Sequence, residues 1–419
     1  MKKRIAFATL GCKLNYAETS TYERGFLRAG WEAVPWEEKA DVYLINTCSV
    51  TATADKKSRN LIRKAHKTAP GAVILVTGCY AELRREEAAA IEGVSRVFGA
   101  NEKSRIVPET LERFGGPAAS EPAVLPSGVF GAYSSGERTR SFLKVQDGCD
   151  NFCAYCTVPH ARGRSRSLPL CEAVRCAEAI AAEGILEVVL TGVNTGDYGR
   201  DIGSSFLDLL KALDRVDGIE RYRISSIEPN LITDGIIDWI AGGTKFQPHF
   251  HIPLQTGSDL LLKKMGRRYD TTLFASRIDR IRRAMEAPGK PLVFFGIDVI
   301  VGLPGETEEL FQETFRFLKE QIRPAFLHIF PYSRRPGTRA AEMPGQVPEA
   351  VKAERVKRLE ALSDRLHAAF VEANRGIPAR VLWESTEHGG MMSGYTGNYI
   401  RLEQPFDPKA INTITDVIL

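Results

Sequence analysis

Six cysteines of this chain have settings suited to metal binding, and three of them lie close together in the segment GCDNFCAYC. Cys149, Cys153 and Cys156 have the spacing CxxxCxxC, which brings three thiolates to one loop. Three thiolate ligands can hold a metal centre and leave one coordination position open for another molecule. The alternative is a closed structural zinc site of the Cys₃His type, in which His160 is the fourth ligand.

Cys12, Cys48 and Cys79 are far apart in the sequence but share a common setting. Each follows a short apolar stretch, and helical patterns separate these stretches, so the pattern predicts a βαβ order and an open parallel sheet. The carboxyl ends of parallel strands lie at one edge of a sheet, where such folds bind ligands. The three thiols are therefore expected at one crevice, as a second metal site or as buried free thiols. The apolar stretches are 5–10, 42–45 and 73–76, and the helical patterns are 18–29 and 55–67.

The remaining cysteines and the overall composition exclude other classes of protein. Eight cysteines are too few for a disulfide scaffold in 419 residues, and a reducing cytosol would keep them as thiols. Cys171 and Cys176 lie in a helical pattern without partners and are predicted to fill core space. The apolar stretch 5–10 is too short for a signal core, and no run of about 18 apolar residues could cross a bilayer. A cytoplasmic protein without a membrane partner is expected.

The charge of the chain is nearly balanced, with 56 Lys and Arg residues against 52 Asp and Glu residues. The strongly basic balance of many nucleic-acid-binding domains is absent. Basic residues are concentrated at 56–67, on a predicted helix, which is typical of a solvated helix face. Arg162, Arg164 and Arg166 form a second basic patch after the CxxxCxxC motif. Net charge alone therefore does not indicate an RNA partner.

Beyond residue 136, strand and helix patterns alternate and predict six βα units, an incomplete version of the eight-unit barrel. The helix pattern at 348–374 either closes this region or links it to the next. A turn at the barrel rim is predicted for GLPGET, because the segment lacks the Lys-Ser/Thr pair of a phosphate-binding loop. The strand patterns are 142–145, 187–190, 222–227, 250–254, 293–301 and 326–330, and the helix patterns are 171–182, 205–213 and 311–321.

The chain is thus predicted to be an α/β protein of three parts. An N-terminal open parallel sheet domain (1–114) is followed by a linker rich in Gly, Pro, Ser and Ala (115–136) and by a partial (β/α)₆ barrel (137–370). A small all-β module (375–419) with strand patterns at 379–383, 399–402 and 413–419 ends the chain. The module is too small for a large core of its own and is expected to pack on the barrel.

Polar residues follow the predicted barrel strands at the edge where a barrel binds its ligands. Each of them alone could cap a helix. As a set on one barrel face, they predict a cofactor site beside the CxxxCxxC loop. The candidate cofactor-binding residues are Tyr155, Thr191, Gly192, Asn194, Ser225, Glu228 and Gln255, together with Ser226.

The CxxxCxxC loop after the first barrel strand resembles that of the radical S-adenosylmethionine enzymes, and the likeness extends to about residue 336. The resemblance implies that Cys149, Cys153 and Cys156 hold a catalytic [4Fe–4S] cluster whose fourth iron binds the amino and carboxylate groups of S-adenosylmethionine. An electron then cleaves the sulfonium and yields a 5′-deoxyadenosyl radical. Positions comparable to the candidate cofactor-binding residues contact S-adenosylmethionine in the related enzymes.

The order of the three parts resembles the methylthiotransferase family. The motifs that carry this likeness are LGCKLNYAET, LINTCSVT, VTGCYAE, DGCDNFCAYCTVP, HIPLQTGSD and VGLPGET. The resemblance implies a second [4Fe–4S] cluster on Cys12, Cys48 and Cys79, and a C-terminal TRAM module that binds RNA and is short here, because it ends at Leu419. A methyl group from one S-adenosylmethionine is expected on a sulfur at the N-terminal cluster, and a second S-adenosylmethionine yields the radical.

GCKLN followed by Glu18, together with GYTGNYIRL, is most similar to the branch that acts on N6-threonylcarbamoyladenosine at position 37 of tRNA. This implies methylthiolation at C2 of that base, the tRNA anticodon loop as partner, and a small electron-donor protein such as flavodoxin or ferredoxin. Tyr395 and Tyr399 either stack on RNA or belong to the core of the module. The alternatives are a methylthiotransferase for isopentenyladenosine in tRNA or for a ribosomal-protein aspartate, and a zinc-bearing RNA-binding protein without catalysis.

Overall fold

Apolar stretches and amphipathic helices alternate through the N-terminal part and build a parallel sheet. The computed structural model describes residues 2–116, 129–135 and 139–419. Within 2–116 the sheet has the order β2-β1-β3-β4-β5 and all neighbouring strands are parallel, as the sequence predicts. The strands of this sheet are β1 (Arg4–Thr9), β2 (Glu32–Ala33), β3 (Val42–Thr47), β4 (Val73–Gly78) and β5 (Val94–Val97).

Helices cover both faces of this sheet, which is why every residue of β3 and β4 is buried. Apolar clusters lie on either side, one around Phe26 and Trp31 and the other around Tyr43 and Tyr80. The helices are α1 (Lys13–Arg28), α2 (Ala52–Thr68), α3 (Cys79–Leu83), α4 (Arg85–Ala89) and α5 (Ile106–Arg113).

The last residues of the predicted linker do not form a simple connection. Residues 117–128 and 136 lie outside the described part, but β6 (Ala132–Tyr133) pairs antiparallel with β7 (Arg140–Lys144). Phe130 and Ala132 are buried against the N-terminal apolar cluster. The prediction of a linker up to 136 is wrong for this segment. Apolar residues stand among its glycines and serines, and they are buried between the two domains.

The barrel has six parallel strands within residues 139–419, in agreement with the predicted partial (β/α)₆ fold. Strand β10 pairs with β7 and β11, and β13 pairs with β12 and β14. The two halves meet at a bridge between Tyr222 and Phe246 and at a hydrogen bond from the Ile227 amide to the His251 carbonyl. The strands are β10 (Glu187–Thr191), β11 (Arg221–Ile224), β12 (His249–Gln255), β13 (Phe294–Val301) and β14 (Phe326–Pro331), and a short hairpin-like pair is β8 (Gln146–Asp147) and β9 (Arg166–Ser167).

Helices surround these strands and the long helix α14 packs on β14 at the end of the barrel. The helical pattern predicted at 311–321 is divided into an α-helix and a π-helical segment, Phe317–Ile322. The GLPGET segment forms the predicted turn after β13. The helices are α6 (Val158–Arg162), α7 (Leu170–Ala182), α8 (Phe206–Asp214), α9 (Asp234–Ala241), α10 (Asp259–Met265), α11 (Thr271–Met285), α12 (Glu308–Arg316), α13 (Arg339–Glu342) and α14 (Glu349–Ala373).

The two cysteines of α7 have different surroundings. Cys176 is buried in the barrel core, as predicted. Cys171 is exposed, so the prediction that it fills core space is wrong. It is the second residue of the helix, five positions before Cys176, and this spacing places the two side chains on different faces.

The C-terminal module is an antiparallel sheet with the order β17-β16-β15-β18. It has a small core of Val381, Trp383 and Met392. Strand β16 is missing from the predicted patterns, and the predicted strand at 399–402 begins two residues later, at Arg401. The strands are β15 (Pro378–His388), β16 (Met391–Thr396), β17 (Arg401–Pro405) and β18 (Ile414–Ile418).

Two arginines of barrel strand β11 attach this module to the barrel, as its small size leads one to expect. The Arg221 guanidinium donates to the carbonyls of Tyr395 (3.0 Å) and Arg380 (2.7 Å). The Arg223 guanidinium donates to the carbonyls of Gly397 (2.7 Å) and Thr396 (2.8 Å). In the ranges described, no helix combines the length and apolar character that crossing a membrane requires.

Candidate functional site: two cysteine trios and a cationic cavity

The barrel trio, Cys149, Cys153 and Cys156, lies on the loop between β8 and α6. Gly148 has a φ of +75°, and a Cβ there would lie 1.9 Å from the carbonyl oxygen of Arg164, so only glycine fits before the first cysteine. Every sulfur of this trio accepts a hydrogen bond. The donors are the Asn151 amide to Cys149 (3.4 Å), the Val158 amide to Cys156 (3.4 Å) and the Arg267 guanidinium to Cys153 (3.2 Å).

Burial raises the pKa of Cys149 to about 11 and that of Cys156 to about 12. Neighbouring cysteines contribute to both shifts, because two thiolates close together repel each other. A bound metal centre reverses this balance, since it binds thiolates and releases their protons. The trio is therefore suited to a cationic centre and poorly suited to act as a free nucleophile.

The N-terminal trio, Cys12, Cys48 and Cys79, is assembled from three successive sheet connections at one edge, as predicted. Cys12 caps helix α1, Cys48 follows β3 and Cys79 begins α3. Gly78 has a φ of +94°, and a Cβ there would lie 2.3 Å from the Thr47 carbonyl, so glycine allows β3 and β4 to approach at this point. Burial raises the pKa of Cys48 to about 11, and burial also raises the pKa of Cys79.

A buried ion network lies between the two trios, and we refer to its residues Glu18, Lys103, Lys144, Asp147 and Arg162 as the interdomain network. The Glu18 carboxylate lies 2.7 Å from Lys103 and 2.8 Å from Lys144. Asp147 lies 2.9 Å from Lys144 and 2.8 Å from Arg162. Arg162 also lies 3.3 Å from Glu18, and its charge acts against burial to lower the pKa of the Cys79 thiol. Arg162 on barrel helix α6 thus influences a cysteine of the N-terminal domain.

The interdomain network carries an excess of one positive charge, because three cations face two carboxylates. All five side chains are buried. Burial by itself would raise the pKa of the Glu18 carboxyl, but the surrounding cations hold that pKa well below its ordinary value. A buried, uncompensated cation is costly unless an anion lies nearby. An anionic group held by the N-terminal trio next to Arg162 would provide that compensation.

Tyr155 lies in the cysteine loop, and the other candidate cofactor-binding residues lie at or just after the carboxyl ends of β10, β11 and β12. The Asn194 Oδ1 and Ser225 Oγ atoms are buried and have no hydrogen-bond partner within the described ranges. Such orphan atoms fit a polar cofactor, because a buried polar group without a partner is unfavourable. Gln255 ends β12 at a bulge and has a φ of +69°, a strained value that is common at binding sites.

Arg267 ties two further candidates to the barrel trio. Its guanidinium donates to the Glu228 carboxylate (2.9 Å), to the Tyr155 hydroxyl (3.3 Å) and to Cys153. Glu228 also accepts a hydrogen bond of 3.0 Å from the Asn151 side chain. The cysteine loop and the end of β11 are therefore held to each other.

Thr191 and Gly192 have partners within the barrel itself. The Thr191 hydroxyl donates to the Leu143 carbonyl at 3.2 Å. Gly192 leaves room for Gln146, whose side-chain oxygen accepts from the amides of Val193 and Asn194, both at 2.9 Å. For these two residues the structure gives a packing role, and a contact with a cofactor stays a prediction.

A cavity of about 860 Å³ lies inside the barrel between helix α1 and the C-terminal module. It is lined by residues near the start of β7, β12, β13 and β14 and also by Val189 in the middle of β10 and Ile224 at the carboxyl end of β11. We refer to it as the three-domain cavity, because all three parts of the chain contribute to it. Its polar and aromatic lining includes Lys13 and Tyr16 from α1, Arg140, Arg223, His251 and His328 from the barrel, and Tyr395, Tyr399 and Arg401 from the module.

Tyr395 and Tyr399 line this cavity and lie outside the core of the module. Their ring centroids are 4.9 Å apart, and the Arg140 guanidinium lies over both rings. On the opposite side, His251 Nε2 lies 2.5 Å from the Asp298 carboxylate, and its ring stacks on His328. Burial next to His251 lowers the pKa of His328 to about 4. The three-domain cavity is thus lined by both aromatic ring faces and charged groups.

Comparison with known proteins identifies the family. Residues 4–99 match the Uncharacterized protein family UPF0004 and residues 143–318 match the Radical SAM superfamily. The chain is 42% identical over 409 residues to the threonylcarbamoyladenosine tRNA methylthiotransferase MtaB of Bacillus subtilis, covering 95% of this chain and 89% of that protein. This chain belongs to the tRNA methylthiotransferase family.

Other relatives of this family cover the chain to a similar extent. The MtaB protein of Aquifex aeolicus is 38% identical and covers 90% of this chain and 92% of its own length. The tRNA-2-methylthio-N(6)-dimethylallyladenosine synthase of Citrifermentans bemidjiense is 33% identical, with 99% and 95% coverage. Among solved structures, the radical S-adenosylmethionine methyltransferase TsrM of Kitasatospora setae has a TM-score of 0.58 at 16% identity, covering 81% of this chain and 77% of that chain, which shows a shared fold.

Family membership implies S-adenosylmethionine and a [4Fe–4S] cluster, and the spacing of the cysteines fits a cluster better than a single zinc ion. Thiolates on one tetrahedral zinc lie about 3.8 Å apart, because the Zn–S bonds are about 2.3 Å long. Among the residues described, the one group of three His, Cys, Asp or Glu side chains with ligand atoms within 4.8 Å of one another is His251, Asp298 and His328. His160 is exposed and packs against Phe152, so it does not complete a compact zinc site.

Sequence reasoning missed the residues that connect the two trios. Arg162 was expected in a basic patch, but it is buried, and only Arg164 of that patch is largely exposed, at 76%. One available signal was Lys144, a lysine inside an apolar strand pattern, because a buried lysine requires a buried carboxylate. Arg267 and Lys103 lie in segments without any pattern, and nothing in the sequence distinguishes them from surface residues.

Proposed function

We propose that this protein transfers a methylthio group to C2 of N6-threonylcarbamoyladenosine at position 37 of tRNA. The names of its relatives, its two cysteine trios and the three-domain cavity support this reaction. The observation that carries the proposal is the interdomain network, because its buried ion pairs join the segments around the barrel trio to helix α1, which follows Cys12 of the N-terminal trio.

In this proposal Cys149, Cys153 and Cys156 hold one [4Fe–4S] cluster and Cys12, Cys48 and Cys79 hold a second. When bound, the barrel cluster and S-adenosylmethionine supply a carbon radical, which can activate an aromatic C–H bond that no side chain could attack. Arg267 fixes Cys153, Tyr155 and Glu228 relative to one another. Asn194 and Ser225 supply unpaired polar atoms for the cofactor.

The base must leave its stack to reach the cavity, and an anticodon loop permits this at low cost. Tyr395 and Tyr399 provide ring faces on which a base can stack, and Arg140 adds a cation over those rings. A small electron-donor protein such as flavodoxin or ferredoxin and a cytoplasmic location complete the proposal.

The decisive experiment is mass spectrometry of tRNA nucleosides from cells with and without the gene. We expect the 2-methylthio derivative of N6-threonylcarbamoyladenosine to disappear without the gene and to return with the intact gene, but not with a Cys153→Ala gene. Loss of the 2-methylthio derivative of isopentenyladenosine, or of a methylthio aspartate in ribosomal protein, would instead assign one of the two sister reactions. An unchanged nucleoside profile would reject the proposal.

Anaerobically reconstituted protein tests the cluster assignment separately. Two [4Fe–4S] clusters correspond to about eight irons per chain, and Cys48→Ala and Cys153→Ala should each retain about four. Cys171→Ala is the matched control, because that exposed thiol belongs to neither trio, and it should retain all eight. A colourless, iron-free preparation would favour the zinc-bearing protein without catalysis.

A further inference from the structure

The three-domain cavity has cationic walls, and most of its cations have carboxylate partners. Arg223 lies 2.9 Å from Glu187, and Arg140 pairs with Glu384. Arg401 lies 2.7 Å from Glu403 at the rim. Each of these three arginines therefore has a carboxylate within ion-pair distance.

Lys13 is the exception. Within the described ranges, no carboxylate lies within ion-pair distance of its ammonium group, and no hydrogen bond is made by it. The ammonium lies 5.8 Å from the ring centroid of Phe142, and the side chain is open to the cavity. A lysine in this position has three donors available for an anion that enters from outside.

Lys13 shares the cavity with Arg140, Arg223 and His251, and His251 is paired with Asp298. Burial together with Arg223, Lys13 and His251 holds the pKa of His249 well below its ordinary value, so this imidazole is neutral and does not add to the charge. The ring centroids of Tyr16 and Phe142 lie nearby, 6.1 Å apart. A carboxylate bound there would gain a charge-assisted hydrogen bond.

Chain connectivity places this cation next to the N-terminal trio, because Lys13 directly follows Cys12. In adenine, C2 and C6 both flank N1, so a substituent on N6 leaves the ring beside the C2 edge. A base whose C2 faces the N-terminal trio therefore carries its N6 substituent toward neighbouring residues of that trio. The threonyl part of that substituent ends in a carboxylate.

We propose that Lys13 binds the carboxylate of the N6 substituent and thereby selects adenosines with an anionic N6 group over those with an apolar one. This inference rests on the proposed function and assigns the substrate preference of the same site to one residue. Lys13 acts as a binding residue, and it is separate from the cysteines and from the candidate cofactor-binding residues.

The test compares two variants of the protein on two substrates. The wild-type protein and Lys13→Gln are each given an anticodon stem-loop with N6-threonylcarbamoyladenosine and the same stem-loop with the threonine carboxylate converted to a carboxamide. For the wild type we expect the acid to have the lower KM, by about tenfold to hundredfold, as expected for a hydrogen bond between charged groups. Lys13→Gln should lose that preference and treat the amide as the wild type does.

Two further variants and one measurement separate binding from structural effects. Lys13→Arg should keep part of the preference, and Lys211→Gln on the exposed face of α8 should behave as the wild type. Iron and sulfide content should be unchanged in Lys13→Gln. Fluorescence anisotropy of the two labelled stem-loops should give the same acid preference in Kd as in KM.

The outcomes distinguish this inference from the proposed function. If the wild type modifies the acid but Lys13→Gln loses activity equally on both substrates, or loses iron, Lys13 is a counter-charge for the N-terminal trio and the inference fails. It also fails if the wild type does not discriminate between acid and amide. If the wild type modifies neither stem-loop and full-length tRNA is also unmodified, the proposed function itself is rejected.

Discussion

The two cysteine trios are organised by different means. The barrel trio belongs to one loop, whose own amides donate to Cys149 and Cys156. The N-terminal trio comes from three separate sheet connections, and Arg162, whose charge acts against burial to lower the pKa of Cys79, comes from the neighbouring domain. The barrel trio is therefore organised locally, whereas the N-terminal trio depends on the interface between domains.

The largest effect is expected from Arg162→Met, which should break the N-terminal trio and spare the barrel trio. Truncation of one member of a buried ion network costs about 3–5 kcal/mol. We expect the unfolding free energy, measured with urea, to fall by that amount and the iron content to fall by about half. Arg164→Met is the matched control, because that side chain is 76% exposed, and it should change stability by less than about 0.5 kcal/mol. Full iron content in Arg162→Met would refute the dependence of the N-terminal trio on the interface.

Arg267→Met should weaken the barrel trio and spare the N-terminal trio. The change removes the donor to Cys153 and leaves Glu228 with Asn151 as its remaining partner, so we expect a loss of about 1–3 kcal/mol in stability. In Arg267→Met the absorbance of the barrel cluster should decay faster when a chelator is added. When Arg267→Met is combined with Cys153→Ala, which removes the barrel cluster, the absorbance of the N-terminal cluster should decay at an unchanged rate. Arg283→Met serves as control, because within the described part of the chain this exposed residue of α11 hydrogen-bonds only the Asp279 carbonyl of its own helix. Equal destabilisation of both clusters would contradict local organisation of the barrel trio.

The smallest effect concerns pH. The pKa of Glu18 is lower in the folded protein than in the unfolded chain, where a glutamate titrates near 4.3, so the network stabilises the fold above that pH. We expect the unfolding free energy contributed by Glu18 to be constant at neutral pH and to fall as the pH drops below about 4.3. The fall should be shallower in Arg162→Met, because one of the cations that lower this pKa is absent. An identical acid slope in both proteins would contradict this coupling.

The sequence predicts the fold class and the cysteine trios because both depend on local patterns. Alternating apolar strands and helices indicate the parallel sheet and the partial barrel, and cysteines at strand ends indicate a shared edge. Strand β16, Met391–Thr396, escapes prediction because two glycines precede it and its sequence MMSGYT lacks a clear alternation. Residues 129–135 escape prediction because their burial depends on another domain.

The charged residues of the site were largely beyond sequence reasoning. Lys103 and Arg162 pair with residues that are distant in the sequence, and such pairings follow from the docking of the two domains. Cys149, Cys153 and Cys156 require no such information, because a short loop already fixes their separation. Lys13 lies beside a recognisable cysteine, but its isolation from carboxylates is evident only when the cavity walls are known. Assignment of these residues to a cofactor or a substrate stays a prediction.

The four guanidinium hydrogen bonds from Arg221 and Arg223 fasten the C-terminal module to the floor of the barrel. A module clamped in this way has little freedom to swing aside when a large nucleic acid arrives. The nucleic acid therefore has to change conformation on binding: bases of its loop must unstack before they can enter the cleft. Stem-loops with weakly stacked neighbours should accordingly be taken up faster than tightly stacked ones.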